Sequence, residues 1–147
     1  MTLLDAPSYN AASARKRRRI ILASIVGAII IGIFVWIFWN WPAEHRVNRF
    51  FVALEQQQFE KAYGIWNNDP DWQQHPQKYD YTLKRFTEDW TTASDWGPIT
   101  SHHVDISKKD GTGIVIAVRV NNSPKKLFLW YERKDGTLTY SPHELEY

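Results

Sequence analysis

The sequence predicts an α+β protein: one transmembrane helix, then a small domain of about three helices packed on a curved antiparallel sheet of about four strands. Three observations predict it. An uncharged apolar run extends from Ile20 to Ala43, apolar residues recur at helical spacing between positions 47 and 93, and alternating residues broken by Asp-Gly and Asn-Asn turns follow from position 104. With 147 residues, the chain has room for one folded unit once an anchor is subtracted.

The first element is the anchor. Thirteen of the residues from Ile20 to Phe38 are Ile, Leu, Val or Phe, and at roughly −0.4 kcal/mol each their insertion is favourable by about 5 kcal/mol. A helix over residues 20–41 would reach roughly 33 Å, about the thickness of a bilayer's hydrocarbon core. A core helix of a water-soluble protein has no reason to be apolar on every face. Cleavage as a signal peptide is not expected, because the apolar stretch is long and its exit lacks a small-x-small site.

The flanks orient the span. Five consecutive basic residues, Arg15 to Arg19, precede it, and only Arg46 and Arg49, tempered by Glu44, follow closely. That asymmetry predicts a cytoplasmic N-terminus and an outer, periplasmic or extracellular, C-terminal domain in a single-pass protein of the cytoplasmic membrane. Trp36, Trp39 and Trp41 suit the headgroup layer, and Pro42 is expected to stop the helix. Residues 1–14 are read as a disordered tail, 15–19 as a basic flank, 20–41 as the span and 43–147 as the outer domain. Ser24, Ala28 and Gly32 recur every four residues and form a flat stripe where another helix could pack.

Charge and composition exclude several functions. Residues 43–147 hold 13 basic and 15 acidic side chains, so the basic excess sits beside the anchor and nucleic-acid binding is not expected. Absence of cysteine excludes disulfides, thiolate metal sites and a cysteine nucleophile. No cofactor motif and no metal-ligand spacing is present.

The outer domain follows in order. Val47, Phe50, Phe51 and Leu54 share one helical face, and Phe59, Ala62, Tyr63 and Trp66 repeat the pattern after a polar break. Residues 67–80 read as a loop; Leu83, Phe86, Trp90 and Ala93 mark a third helix ended by Gly97-Pro98. Val104 with Ile106, Ile114 to Val120, Leu127 to Tyr131, and Leu138 with Tyr140 alternate as strands, separated by two KDGT turns and NNSP.

Helices first and a meander afterwards, with Val47-x-x-Phe50-x-x-x-Leu54 continuing into Phe59-x-x-Ala62-Tyr63-x-x-Trp66, resembles nuclear-transport-factor-2-like domains, the cone-shaped superfamily that includes ketosteroid isomerase. The resemblance implies a space between helices and sheet, used by some members for catalysis or ligands and filled by side chains in others. It also implies membrane-tethered versions that serve as assembly subunits.

Candidate residues are few. His103 and Asp105 would share a strand face with His102 on the other, which keeps the two imidazoles from one metal. Asp89, Tyr63 and Tyr81 could supply acid–base groups if the cone were open. Trp72, Trp96 and Trp130 are aromatics that neither membrane nor core explains, and they could hold a glycan or a partner. Tyr63, Trp72, Trp96, His103 and Trp130 are therefore the ligand- or partner-binding candidates, and no catalytic residue is assigned. The expected function is a non-catalytic interaction or assembly domain whose partners are the bilayer and a membrane protein or a second copy. The contrasting expectation is a small-molecule or enzymatic pocket of the ketosteroid-isomerase type.

Overall fold

Pro42 has no N–H to offer the carbonyl of Phe38, four residues back, and the first helix, α1 (Ala11–Phe38), ends there. A computed structural model describes residues 11–145 of the chain. Among them one helix is long and apolar enough to cross a membrane, and its side chains show no preferred polar face. Residues Ile20 to Phe38 are largely exposed, Trp36 most of all. The tail expected over residues 1–14 falls mostly outside the described residues. From Ala11 the chain is already helical, because Ala11, Ala12 and Ala14 are strong helix formers that a long helix propagates into readily.

The chain forms two compact units, one up to Trp39 and one from Asn40 onward. The second starts earlier than the sequence suggests. Pro42 does not lead into a loop; it occupies the first turn of α2 (Trp41–Glu55), where a missing N–H costs nothing. Trp41 thus belongs to the second unit, with its indole stacked on His45 at 4.9 Å.

Helix α3 (Phe59–Trp66) follows after a sharp bend. Gln57 adopts φ 57°, and Gln58 N–H donates to the Ala53 carbonyl while Gln57 N–H donates to Leu54, a Schellman ending made without glycine. Asn68, φ 50°, ends α3 by the same pattern, Asp69 N–H donating to Gly64 and Asn68 N–H to Ile65. Two 3-10 turns, Trp72–Gln74 and Pro76–Lys78, lie within the stretch read as a loop. Helix α4 (Leu83–Asp89) is capped by Thr82 and stops before Trp90, so Ala93 lies beyond it.

Strands β1 (His102–Asp110), β2 (Gly113–Val120), β3 (Lys126–Glu132) and β4 (Leu138–Tyr140) form an antiparallel open sheet in sequence order. The chain is therefore α+β with helices on one face of a four-stranded meander. Asn121 and Asn122 both take positive φ, 51° and 56°, and Ser123 N–H closes onto the Val120 carbonyl, the hairpin turn whose twist matches that of the strands.

One expectation about β1 is corrected. A bulge at Asp105 pairs Val104 with Val118 but Ile106 with Ala117, so Val104 faces the helices and Ile106 faces away. Ser107 consequently turns inward, accepting from the Asn40 amide at 3.1 Å and donating to the Glu44 carboxylate at the start of α2.

The core lies between helices and sheet. Val47, Phe50, Phe51 and Leu54 from α2, Ala62, Tyr63 and Trp66 from α3, and Phe86 and Trp90 meet Ile114, Ile116, Val118, Leu129 and Leu138. Phe50 sits among its rings, with ring centres 5.3 Å from Phe51 and from Trp66, 5.1 Å from Trp90 and 6.1 Å from Phe86.

Candidate interaction surface

A two-layer domain leaves the far face of its sheet without helices, and here the middle of that face is largely apolar, with Lys108 opposite Val115 and Thr139 opposite Trp130 at its sides. Val115 and Ala117 on β2 are fully buried although they point away from the core. What covers them comes from the neighbouring strands. Phe128 and Trp130 of β3 stand opposite Ala117 and Val115, and Ile106 of β1, brought round by the bulge, flanks Ala117 from the other side. Trp130 lies across Gly113 so closely that a Cβ there would come within 2.3 Å of the indole. Glycine at 113 is thus what lets the ring lie flat.

One end of this face is a charge network. Asp105, the bulge residue, accepts from Arg119 at 2.9 Å and from Lys126 at 3.1 Å, with the exposed His103 imidazole 3.9 Å away. Burial alone would raise the Asp105 pKa, but the hydrogen bonds from Lys126 and Arg119 outweigh it and hold the group below the usual carboxylate range. At the other end His143 pairs with Asp110 and meets the Trp130 ring edge-on, ring centres 6.4 Å apart. The result is an apolar strip between two polar ends.

The structure disperses the other candidates. Tyr63 is a core residue whose hydroxyl donates to the Tyr81 carbonyl at 2.7 Å. Trp72 packs edge-on against Tyr63 at 4.9 Å and over Gly64. Trp96 is half-buried, with the Lys125 ammonium 5.3 Å from its ring centre. Trp72 lines a cleft beside α3, whereas Trp96 lines a separate one with Trp90 and Tyr140, so the two do not form a common platform. His102 turns inward, stacked on Phe51 and bonded to Glu55 at 2.7 Å and Asn48 at 3.1 Å, while His103 faces out. Ser24 donates to the Ile20 carbonyl within its own helix, and Gly32 has open space around it; Ala28 lies between them.

The space between helices and sheet is filled with rings. Among the described residues no polar or charged residue is buried, and Tyr63 is the one core side chain that titrates. Asp89 lies at the margin, accepting from the Tyr81 hydroxyl at 2.8 Å. Burial and that carboxylate push the Tyr81 pKa up, and burial lifts Tyr140 to about 12. Trp66, Tyr81 and Tyr140 line a surface cleft of about 540 Å³ beside β4.

Sequence reading missed a further cluster because residues 67–80 carry no period. Asp69 accepts from the Tyr79 hydroxyl and from His75, both at 2.5 Å, with Lys78 at 3.6 Å. The Tyr79 bond first and the His75 bond second hold the Asp69 carboxyl down at about 2. A depressed carboxyl contributes stability above its unfolded pKa, and that contribution is lost as pH falls from about 4 through about 2. Acid titration of thermal stability is expected to show this loss in the wild type and a smaller one in Asp69→Asn; identical profiles would remove Asp69 from the account.

Comparison of the chain with family models, curated proteins and solved structures finds no match to any of them.

Proposed function

We propose that this protein is a membrane-tethered, non-catalytic interaction or assembly domain that holds a neighbouring membrane protein. The observation that carries the proposal is the ring-filled cone. Acid–base chemistry of the ketosteroid-isomerase type needs a titratable group facing an enclosed cavity, and here Phe50, Trp66, Phe86 and Trp90 occupy that space. The likeness to nuclear-transport-factor-2-like domains is supported by the order of elements, helices before a four-stranded meander.

The span and its five-residue basic flank support a cytoplasmic N-terminus and an outer domain. Tethering raises the local concentration of domain and partner in one bilayer, so a modest contact suffices. The strip of Ile106, Phe128 and Trp130 offers that contact, with Asp105, Arg119 and Lys126 fixing its orientation.

The test is to isolate tagged full-length protein from its own membranes in mild detergent and weigh what accompanies it, beside the variant I106D/F128D. A stoichiometric membrane protein lost from the variant, with near-UV circular dichroism unchanged, supports the proposal. Emergence of the wild type alone, as monomer or homodimer, would end it.

A further inference from the structure

The sharp bend between α2 and α3 opens a second feature on the helical side of the domain. One face of α2 carries Arg46 and Arg49, one face of α3 carries Lys61, Gly64 and Ile65, and Asn68 lies just past the end of α3. Together with Trp72 these line a cleft of about 500 Å³. Its three cations outnumber its two acids. Arg46, Arg49 and Lys61 form no ion pair among the described residues; Glu60, which also lines the cleft, keeps its charge while accepting from the neutral Gln73, and Asp69 is engaged by Tyr79, His75 and Lys78.

Arg46 is positioned by a neutral group. Its guanidinium donates to the Asn68 side-chain oxygen at 2.5 Å, and the Asn68 side-chain amide in turn donates to the Asp135 backbone carbonyl at 2.6 Å. Gly136 makes room for both, since a Cβ there would stand 2.9 Å from the Asn68 amide nitrogen and 3.6 Å from the Arg46 guanidinium. The chain therefore orients a half-buried positive charge without cancelling it. Arg46 is thereby held in place, whereas Arg49 and Lys61 beside it are exposed. Gly64 supplies the opposite wall by letting the Trp72 indole lie against α3, a Cβ there being 3.3 Å from the ring.

We propose that this cleft binds a phosphate-bearing organic anion, its phosphate held by Arg46, Arg49 and Lys61 and its carbon skeleton resting on Trp72 and Ile65. Planar guanidinium forks suit phosphate oxygens, and an indole beside them accepts the apolar part. The phosphate could belong to a lipid headgroup or to a soluble ester. Both present the same chemistry to the cleft.

The experiment uses full-length protein in nanodiscs and measures modification of Arg46 and Arg49 by phenylglyoxal, peptide by peptide, with the exposed Arg85 as internal reference. Glycerol 3-phosphate is added to phosphatidylcholine discs, and separately phosphatidylglycerol is built into the discs. Slowing at Arg46 and Arg49 relative to Arg85 is expected in at least one arm. Slowing with glycerol 3-phosphate in neutral discs assigns a soluble ester, and slowing with phosphatidylglycerol alone assigns a lipid headgroup. In R49Q/K61Q the protection of Arg46 is expected to need at least about tenfold more anion, the factor that loss of even one charge-assisted contact brings. Unchanged rates in both arms, or equal slowing at Arg85, overturn the proposal, as does full protection of Arg46 in the double variant.

Discussion

Phe50→Ala is expected to destabilise the domain from Asn40 onward by about 3–5 kcal/mol, the cost of removing a fully buried aromatic ring. Phe50 is fully buried and touches four other rings, so its loss opens a cavity between α2, α3, α4 and the sheet at once. Domains of this size commonly have about 5–15 kcal/mol in total, and the variant is expected to lie near its unfolding threshold. Urea unfolding of the full-length protein in micelles, followed by near-UV circular dichroism, reads the effect from the aromatic core. A loss below about 1 kcal/mol, far under the range for buried rings, would mean that the surrounding rings collapse into the space and that Phe50 is dispensable to the core.

Asn121→Ala is expected to cost about 3 kcal/mol, a large effect for a half-buried loop residue. The Asn121 side-chain oxygen accepts from the Thr100 N–H at 2.8 Å, the Thr100 hydroxyl at 3.0 Å and the Ser101 N–H at 3.2 Å. Its amide donates to the carbonyls of Trp96 at 3.0 Å and Pro98 at 2.8 Å. One side chain thus ties the segment between α4 and β1 to the turn between β2 and β3. Its φ of 51° adds a backbone term, and Asn121→Gly, free of that strain, is expected to recover about 1 kcal/mol relative to alanine. Equal stability of the glycine and alanine variants would show that the side-chain bonds account for the whole effect.

The long apolar helix, the three helices and the four strands were legible because each rests on a repeating pattern: uniform apolarity, the spacing from Val47 to Leu54, and alternation from Ile114 to Val120. What was hidden depends on single residues acting against type. Gln57 ends α2 in a left-handed conformation where glycine is customary, and Asn121 reveals its role only once residues 96 to 101 fold back onto it. Pro42 was recognised as a helix breaker, but a breaker for one helix is a good first-turn residue for the next. Site residues were the least legible. The cleft of Arg46, Arg49 and Lys61 forms only when α2 and α3 meet at their bend, and charge pattern along either helix alone reads as a solvated face.

The extra residue in β1 bears on how this chain tolerates insertion and deletion. Deleting Asp105 would join Val104 directly to Ile106 and leave every other pairing with β2 in place, so the ladder becomes regular without shifting the hairpin. Deleting any residue from 107 to 110 would instead slide the end of the strand against Ile114 and Ile116. Loss of Asp105 would also strand Arg119 and Lys126 side by side without their shared carboxylate. In descendants of this sequence, a one-residue gap at 105 is therefore expected to travel with replacement of one of those two cations, and gaps elsewhere in the strand are expected to be rare.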